Sequence, residues 1–396
     1  MNQVPAVLKP EQFEKICRAV VADPDRMWRL ISDIPPASEP VEDYITDVGE
    51  RCGLLRELRL VLASKEDQDE DEAFPINTTI FAIFMVAPLA GLRAWVELVR
   101  TSPHGWLLAH GVSNRAPIAM RDYLPRKRKA DTPLSAPPAA ATSVADERDD
   151  PSACAFSGYS DPVAASIFPP ATARTKKFRA ISEVVRCFWG AERAETWSDL
   201  AYELQSPANS IAMNRQLRLW FGSGARFALK PLRQRLTDDG YPVLDVQWHW
   251  LRRAVLRPRA LVHRGGDGGD DDDDVTLLLT QAGLAHDCQS WGTEEVCLAY
   301  RPSGVPISTG QVYTLRGDRS ILPNFDLMRM HWDLLRVADI SGVANIEDDC
   351  YELDDEECYY DPVVVARQET VLDERDGRCS RRRPRWIAAM LERICL

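Results

Sequence analysis

Apolar residues recur at helical spacing in two stretches near the start of the chain. In residues 8–33 they fall at Phe13, Ile16, Cys17, Val20, Val21, Met27, Leu30 and Ile31, and Asp23-Pro24 divides the run into two short helices. In residues 41–64 Ile45, Val48, Cys52, Leu54, Leu55, Leu58 and Leu60 mark a further amphipathic helix, followed by the solvated acidic run Glu66–Glu72. Ile76 to Leu92 carries no charge and has no clear period. It is shorter than the roughly 20 residues a bilayer span needs, and Pro88 interrupts it. A buried helix or strand is therefore expected, and no membrane association.

The second half mixes short strand-like and helical patterns, so the fold class is α+β. Cys154–Ser157 and Val163–Phe168 read as strands around the turn Gly158–Pro162. Helices are predicted over Phe178–Trp189, Trp197–Leu204 and Ser210–Phe221, and a strand over Phe227–Leu229. Val243–Leu251 is an aromatic-rich strand. Composition marks the boundaries: a helical region over 1–124, a Pro/Ala-rich basic linker over 125–152, and a mixed domain over 153–346. That domain holds a low-complexity acidic insert near 265–274, and beyond it 347–396 has an acidic segment (Glu347–Glu357) and a basic C-terminal helix.

Hydrophobic residues at 45 % and charged residues at 27 % are ordinary for a folded chain, so disorder is regional. The formal charge of −12 argues against a simple nucleic-acid binder, but the acid lies in runs and leaves 174–259 rich in Arg and Lys. The ten cysteines form no Cys-x-x-Cys pair, so no zinc site is signalled and reduced thiols are expected. Met1–Pro5 has no signal-peptide pattern. Arg126, Lys127, Arg128 and Lys129 head the linker and have the composition of a nuclear localisation signal. The expected location is thus the nucleus, or the cytoplasm if the run is only a solvated face.

Within 154–231 an ordered set of short motifs stands out: Cys154-Ala155-Phe156-Ser157-Gly158, Ala165-Ser166-Ile167-Phe168-Pro169, Phe188-Trp189-Gly190, Asn209, and Phe227-Ala228-Leu229-Lys230-Pro231. The set resembles the fungal HNH-type (ββα-metal) endonuclease domain family. Later parts also resemble it, with Trp332 and Arg336 on a helix that closes at Ser341-Gly342-Val343-Ala344. The likeness covers about half the chain and implies a degenerate hairpin–helix core with helical N-terminal and mixed α/β C-terminal extensions. The family writes Ala-His-Ile-Phe-Pro where this chain has Ser166, and has a second histidine where this chain has Arg218, nine residues after the Asn.

In such nucleases the first histidine is a general base, the second a metal ligand, and the Asn holds the loop between them. The resemblance assigns those positions to Ser166, Arg218 and Asn209. A serine hydroxyl is no base near neutral pH, and a guanidinium has no lone pair for a metal. The expected function is an HNH-like protein without turnover, which binds DNA or RNA or serves as a scaffold for protein partners. No cofactor is expected. Arg218, Arg215, Arg226, Lys230 and Arg233 are the candidate nucleic-acid contacts, because planar guanidinium donors suit phosphate oxygens. Two alternatives stand: an active divalent-metal-dependent endonuclease with substituted ligands, and a purely structural or interaction protein. Oligomeric state is left open.

Overall fold

The computed structural model describes residues 36–64, 76–124, 153–168, 176–202, 206–252, 273–284 and 299–345, apart from 42, 161, 223, 283 and 319, together with 14, 18, 21, 22 and 256. Most of the 8–33 helical reading, the 66–72 acidic run, the linker with Arg126–Lys129, most of the acidic insert and all of 347–396 lie outside the described residues.

Four helices come first: α1 (Val48–Ala63), α2 (Thr78–Val86), α3 (Leu89–Thr101) and α4 (Gly105–Tyr123). The apolar stretch at 76–92 is therefore helical. It breaks at Ala87-Pro88, since proline cannot continue a helix but can open the next one. Every residue of α2 is buried, because α1, α4 and a later helix surround it; that explains why its sequence shows no polar face. Asn77 caps its start, accepting from the Ile80 N–H at 3.0 Å. At its end Arg51 donates to the carbonyls of Phe84 at 2.8 Å and Ala87 at 2.7 Å. Those carbonyls have no partner within the helix, so a buried cation there meets both their hydrogen-bonding and their dipole requirements. Burial lowers the Arg51 pKa to about 10.

After the linker come β1 (Val163–Ser166), α5 (Lys176–Trp189), α6 (Ala191–Tyr202), β2 (Ser210–Met213) and α7 (Arg215–Phe221). Then follow β3 (Phe227–Leu236), β4 (Pro242–Trp250), α8 (Asp273–Gln281), β5 (Val312–Arg316) and α9 (Phe325–Ile340). The class is α+β. β1 and β2 form a two-stranded antiparallel sheet, and β3-β4-β5 a three-stranded antiparallel one. Pro231 is tolerated in β3 because β3 is an edge strand and the register shifts there.

The strand read as Phe227–Leu229 continues to Leu236 and the helix read as Trp197–Leu204 begins at Ala191; three further readings change in kind. Cys154–Ser157 is not a strand but a tight turn, closed by the Gly158 N–H on the Cys154 carbonyl at 2.9 Å, with Gly158 at φ +70. Ser210–Met213 is not the start of a helix: it is the strand that pairs with β1, and the helix begins only at Arg215. The acidic insert is not loop to its end, since Asp273 opens α8.

α9 is the central helix, in contact with α2, α4, α6 and β3. One continuous hydrophobic core runs from Tyr44 to Ala344. α3 and α5 approach so closely that a Cβ on Gly91 would lie 2.0 Å from the Phe188 carbonyl oxygen, which requires glycine there. Polar ties also cross the linker: Arg336 donates to the Tyr44 carbonyl at 3.0 Å, and the Tyr44 hydroxyl donates to Asp339 at 2.7 Å. On the far side of the linker Trp189 Nε1 and Arg336 both donate to Asp333, each at 2.9 Å. No described helix is long and apolar enough to cross a membrane.

Candidate functional site

The unit β1–β2–α7 carries the positions singled out in the sequence. β1 and β2 run antiparallel in the register Val163↔Met213 to Ser166↔Ser210, and α7 packs against β1. Asn214 joins strand to helix. Its side chain accepts from the Leu217 N–H at 2.8 Å, and its amide donates to the Ser157 hydroxyl at 2.8 Å. The Cys154–Gly158 motif is thereby explained as a docked turn. Cys154 Sγ accepts from the Ser157 N–H at 3.4 Å, and Ser157 anchors the turn to the head of α7.

Asn209 is 2 % exposed and acts as a clamp. Its side-chain oxygen accepts from the Phe168 N–H and its amide donates to the Phe168 carbonyl, both at 2.8 Å. Its own carbonyl accepts from the Ile167 N–H at 2.9 Å. The chain leaving β1 is thus fixed to the chain entering β2. Ser166 lies at the end of β1, exposed, opposite the residue that follows Asn209. Arg218 is half-buried on α7. Ser166 and Asn209 are therefore brought together, with Arg218 on the helix packed on that strand.

The other basic residues do not converge on one point. Arg215 is exposed on α7, Arg226 is half-buried between α7 and β3, and Lys230 is half-buried on β3. Arg233 lies seven residues beyond Arg226, about 20 Å along an extended strand. Its guanidinium is held by Asp245 at 2.9 Å and Glu39 at 2.5 Å. Asp245 also accepts from Arg235 at 3.0 Å and from the Thr314 hydroxyl at 2.7 Å. Burial alone would raise the Asp245 pKa; hydrogen bonds from Arg235, Thr314 and Arg233 outweigh it and hold the carboxyl below its usual range. Arg233 is thus part of a sheet-face ion network. Arg126–Lys129 lie outside the described residues.

The donor set at Ser166 and Arg218 does not suit a metal ion, since one is a neutral hydroxyl and the other a cation without a lone pair. Among the described residues no group of three His, Cys, Asp or Glu side chains could hold one. Two histidines lie deep in the core instead. His249 is buried against Trp332 and its Nε2 shares a hydrogen bond with Gln247 at 2.9 Å; burial lowers its pKa well below the ordinary value. His331 is bonded through Nδ1 to the Tyr123 hydroxyl, packs against Phe221 at 4.4 Å between centroids, and has its pKa lowered to about 3 by burial.

A cavity of about 640 Å³ lies where the Ser206–Ala208 loop meets the far end of the β3–β4 hairpin and the start of α9. Ser166, Asn209 and Arg218 do not line it. The sequence reading missed Asn214, although an Asn three residues before Leu217 carries the signature of a helix cap. No known protein family, no curated protein and no solved structure matches this chain.

Proposed function

We propose that this chain binds nucleic acid through a degenerate HNH-like β-β-α unit and does not cleave it. The observation that carries the reading is the Asn209 clamp, which ties the Ser166 end of β1 to β2 beneath a helix bearing Arg215 and Arg218. That arrangement suits a phosphate held by guanidinium groups, and neither Ser166 nor Arg218 can serve as the base or metal ligand that would activate water. The reading needs no cofactor, and a divalent metal would enter only if cutting were observed. The nucleus is the proposed location, on the composition of Arg126–Lys129.

Two assays on the full-length protein test it. Plasmid incubated with Mg²⁺, Mn²⁺, Ni²⁺ or Zn²⁺ should not be nicked above background. Binding to a labelled duplex should be modest at low salt and fall steeply as salt rises, because phosphate contacts release counterions. Metal-dependent nicking abolished by Asn209→Ala would restore the active-endonuclease reading. No binding at any salt concentration would leave a scaffold for protein partners.

A further inference from the structure

Two tyrosines stand out of the fold beside this unit. Tyr159 is 47 % exposed and Tyr300 is 52 % exposed. Each sits on a turn closed by backbone hydrogen bonds. The Cys154 N–H donates to the Tyr159 carbonyl at 2.8 Å, and the Arg301 N–H donates to the Val305 carbonyl at 2.8 Å, with isolated bridges Ala153↔Ser160 and Tyr300↔Pro306. The two turns abut. A Cβ on Gly158 would lie 3.9 Å from Pro302 Cδ and 4.0 Å from Arg301 Nη2. The first turn is also tied to the head of α7 by Ser157 and Asn214, so Tyr159 lies on the turn docked at the helix that opens with Arg215, and the Tyr300 turn abuts that docked turn through Arg301 and Pro302.

We infer that Tyr159 and Tyr300 form a stacking platform for the unpaired bases of single-stranded nucleic acid, whose phosphates lie along Arg215 and Arg218. The inference rests on the nucleic-acid reading above and narrows its substrate. An aromatic ring left half in water has an uncovered face whose burial by a base is favourable. Held on a hydrogen-bonded turn, it loses little freedom when a base covers it. Bases of a duplex already stack on each other and cannot offer a face to such a ring, whereas unpaired bases can, whatever their sequence. Arg301, whose guanidinium reaches the Gly158 turn, and the exposed Arg215 at the start of α7 supply the positive charge that a backbone of phosphates requires.

The test compares fluorescence anisotropy of a labelled oligo(dT) of about 20 nucleotides with that of a duplex of equal length at one low salt concentration. The full-length protein should bind oligo(dT) more tightly than the duplex. Tyr159→Ala with Tyr300→Ala should weaken oligo(dT) binding by about tenfold or more and leave duplex binding within about twofold. Tyr159→Phe with Tyr300→Phe keeps both rings and should bind as the parent does. Arg215→Ala with Arg218→Ala should weaken both ligands. Thermal melts of the tyrosine variants should match the parent, since both side chains are exposed. If the alanine variant binds oligo(dT) like the parent, or loses both ligands in step, the platform is overturned while nucleic-acid binding stands. If the parent binds neither ligand, the broader reading falls first.

Discussion

Asn209→Ala tests the frame of the site most directly. The substitution removes one acceptor and one donor, each paired at 2.8 Å with the backbone of Phe168. Both side chains are buried, so water cannot replace the lost partners. A buried polar group left without a partner costs about 1–3 kcal/mol, so two such groups put the destabilisation at roughly 2–4 kcal/mol once partial relaxation is allowed. Urea denaturation followed by tryptophan fluorescence measures this, read as a lower midpoint at constant slope. Asn209→Asp refines the argument. An ionised aspartate can still accept from the Phe168 N–H but faces the Phe168 carbonyl with a negative oxygen, while a protonated one can donate to it. The pKa of that Asp in the folded state should therefore be raised, and the lost stability should return as pH falls through it. A midpoint for Asn209→Ala within experimental error of the parent would refute the clamp, and so would an Asn209→Asp variant with no extra pH dependence.

The buried histidines give a second outcome with a definite sign. The folded-state pKa of His331 is about 3, against the usual 6.5 or so, so below about pH 6.5 the unfolded chain takes up a proton that the folded chain refuses. Stability should then fall by about 1.4 kcal/mol per pH unit from this group, with His249 acting in the same direction, and urea midpoints of His331→Phe should decline less steeply between pH 6.5 and 5 than those of the parent. Arg51→Met should destabilise by about 3 kcal/mol in the same assay, because it strips hydrogen bonds from the Phe84 and Ala87 carbonyls at the end of a buried helix. Replacing Arg126–Lys129 with alanine in a fluorescent fusion should leave the protein in the cytoplasm; an unchanged nuclear signal would discount that run.

What could be read from the sequence was what local pattern encodes. The helix over 176–189 was legible from its apolar stripe to within two residues, and the one over 48–63 was legible inside a run drawn seven residues too early. The stretch 76–92 was legible as buried but not as helical, because a helix surrounded on every side has no polar face to set its period. β2 was missed because what makes Ser210–Met213 a strand is β1, which lies far away in the sequence. β3 was read as ending at Leu229 because Arg233–Leu236 is exposed and polar, yet its backbone pairs with β4 to the end. At the site, the bonds of Asn209 to Phe168 connect distant segments, and no spacing rule shows them. The Ser157–Asn214 tie was likewise invisible for the same reason.

The motif letters divide by what they do. Phe168 packs on Tyr123, Phe188 on Phe84 and Trp95, Phe227 stacks on Trp248 at 3.7 Å, and Trp189 spends its indole N–H on Asp333. Each would cost several kcal/mol to truncate, so each is required by folding whether or not the chain ever cut a phosphodiester. Ser166 and Arg218 are different. Neither is fully buried, and neither side chain fills the core. Core packing alone therefore does not dictate the residue at those two positions. The core residues bear on which architecture the chain adopts. In the nucleic-acid reading proposed above, Ser166 and Arg218 are the positions that distinguish binding from cutting, since a hydroxyl and a guanidinium can each hydrogen-bond a phosphate oxygen but neither can serve as the base or metal ligand that hydrolysis needs.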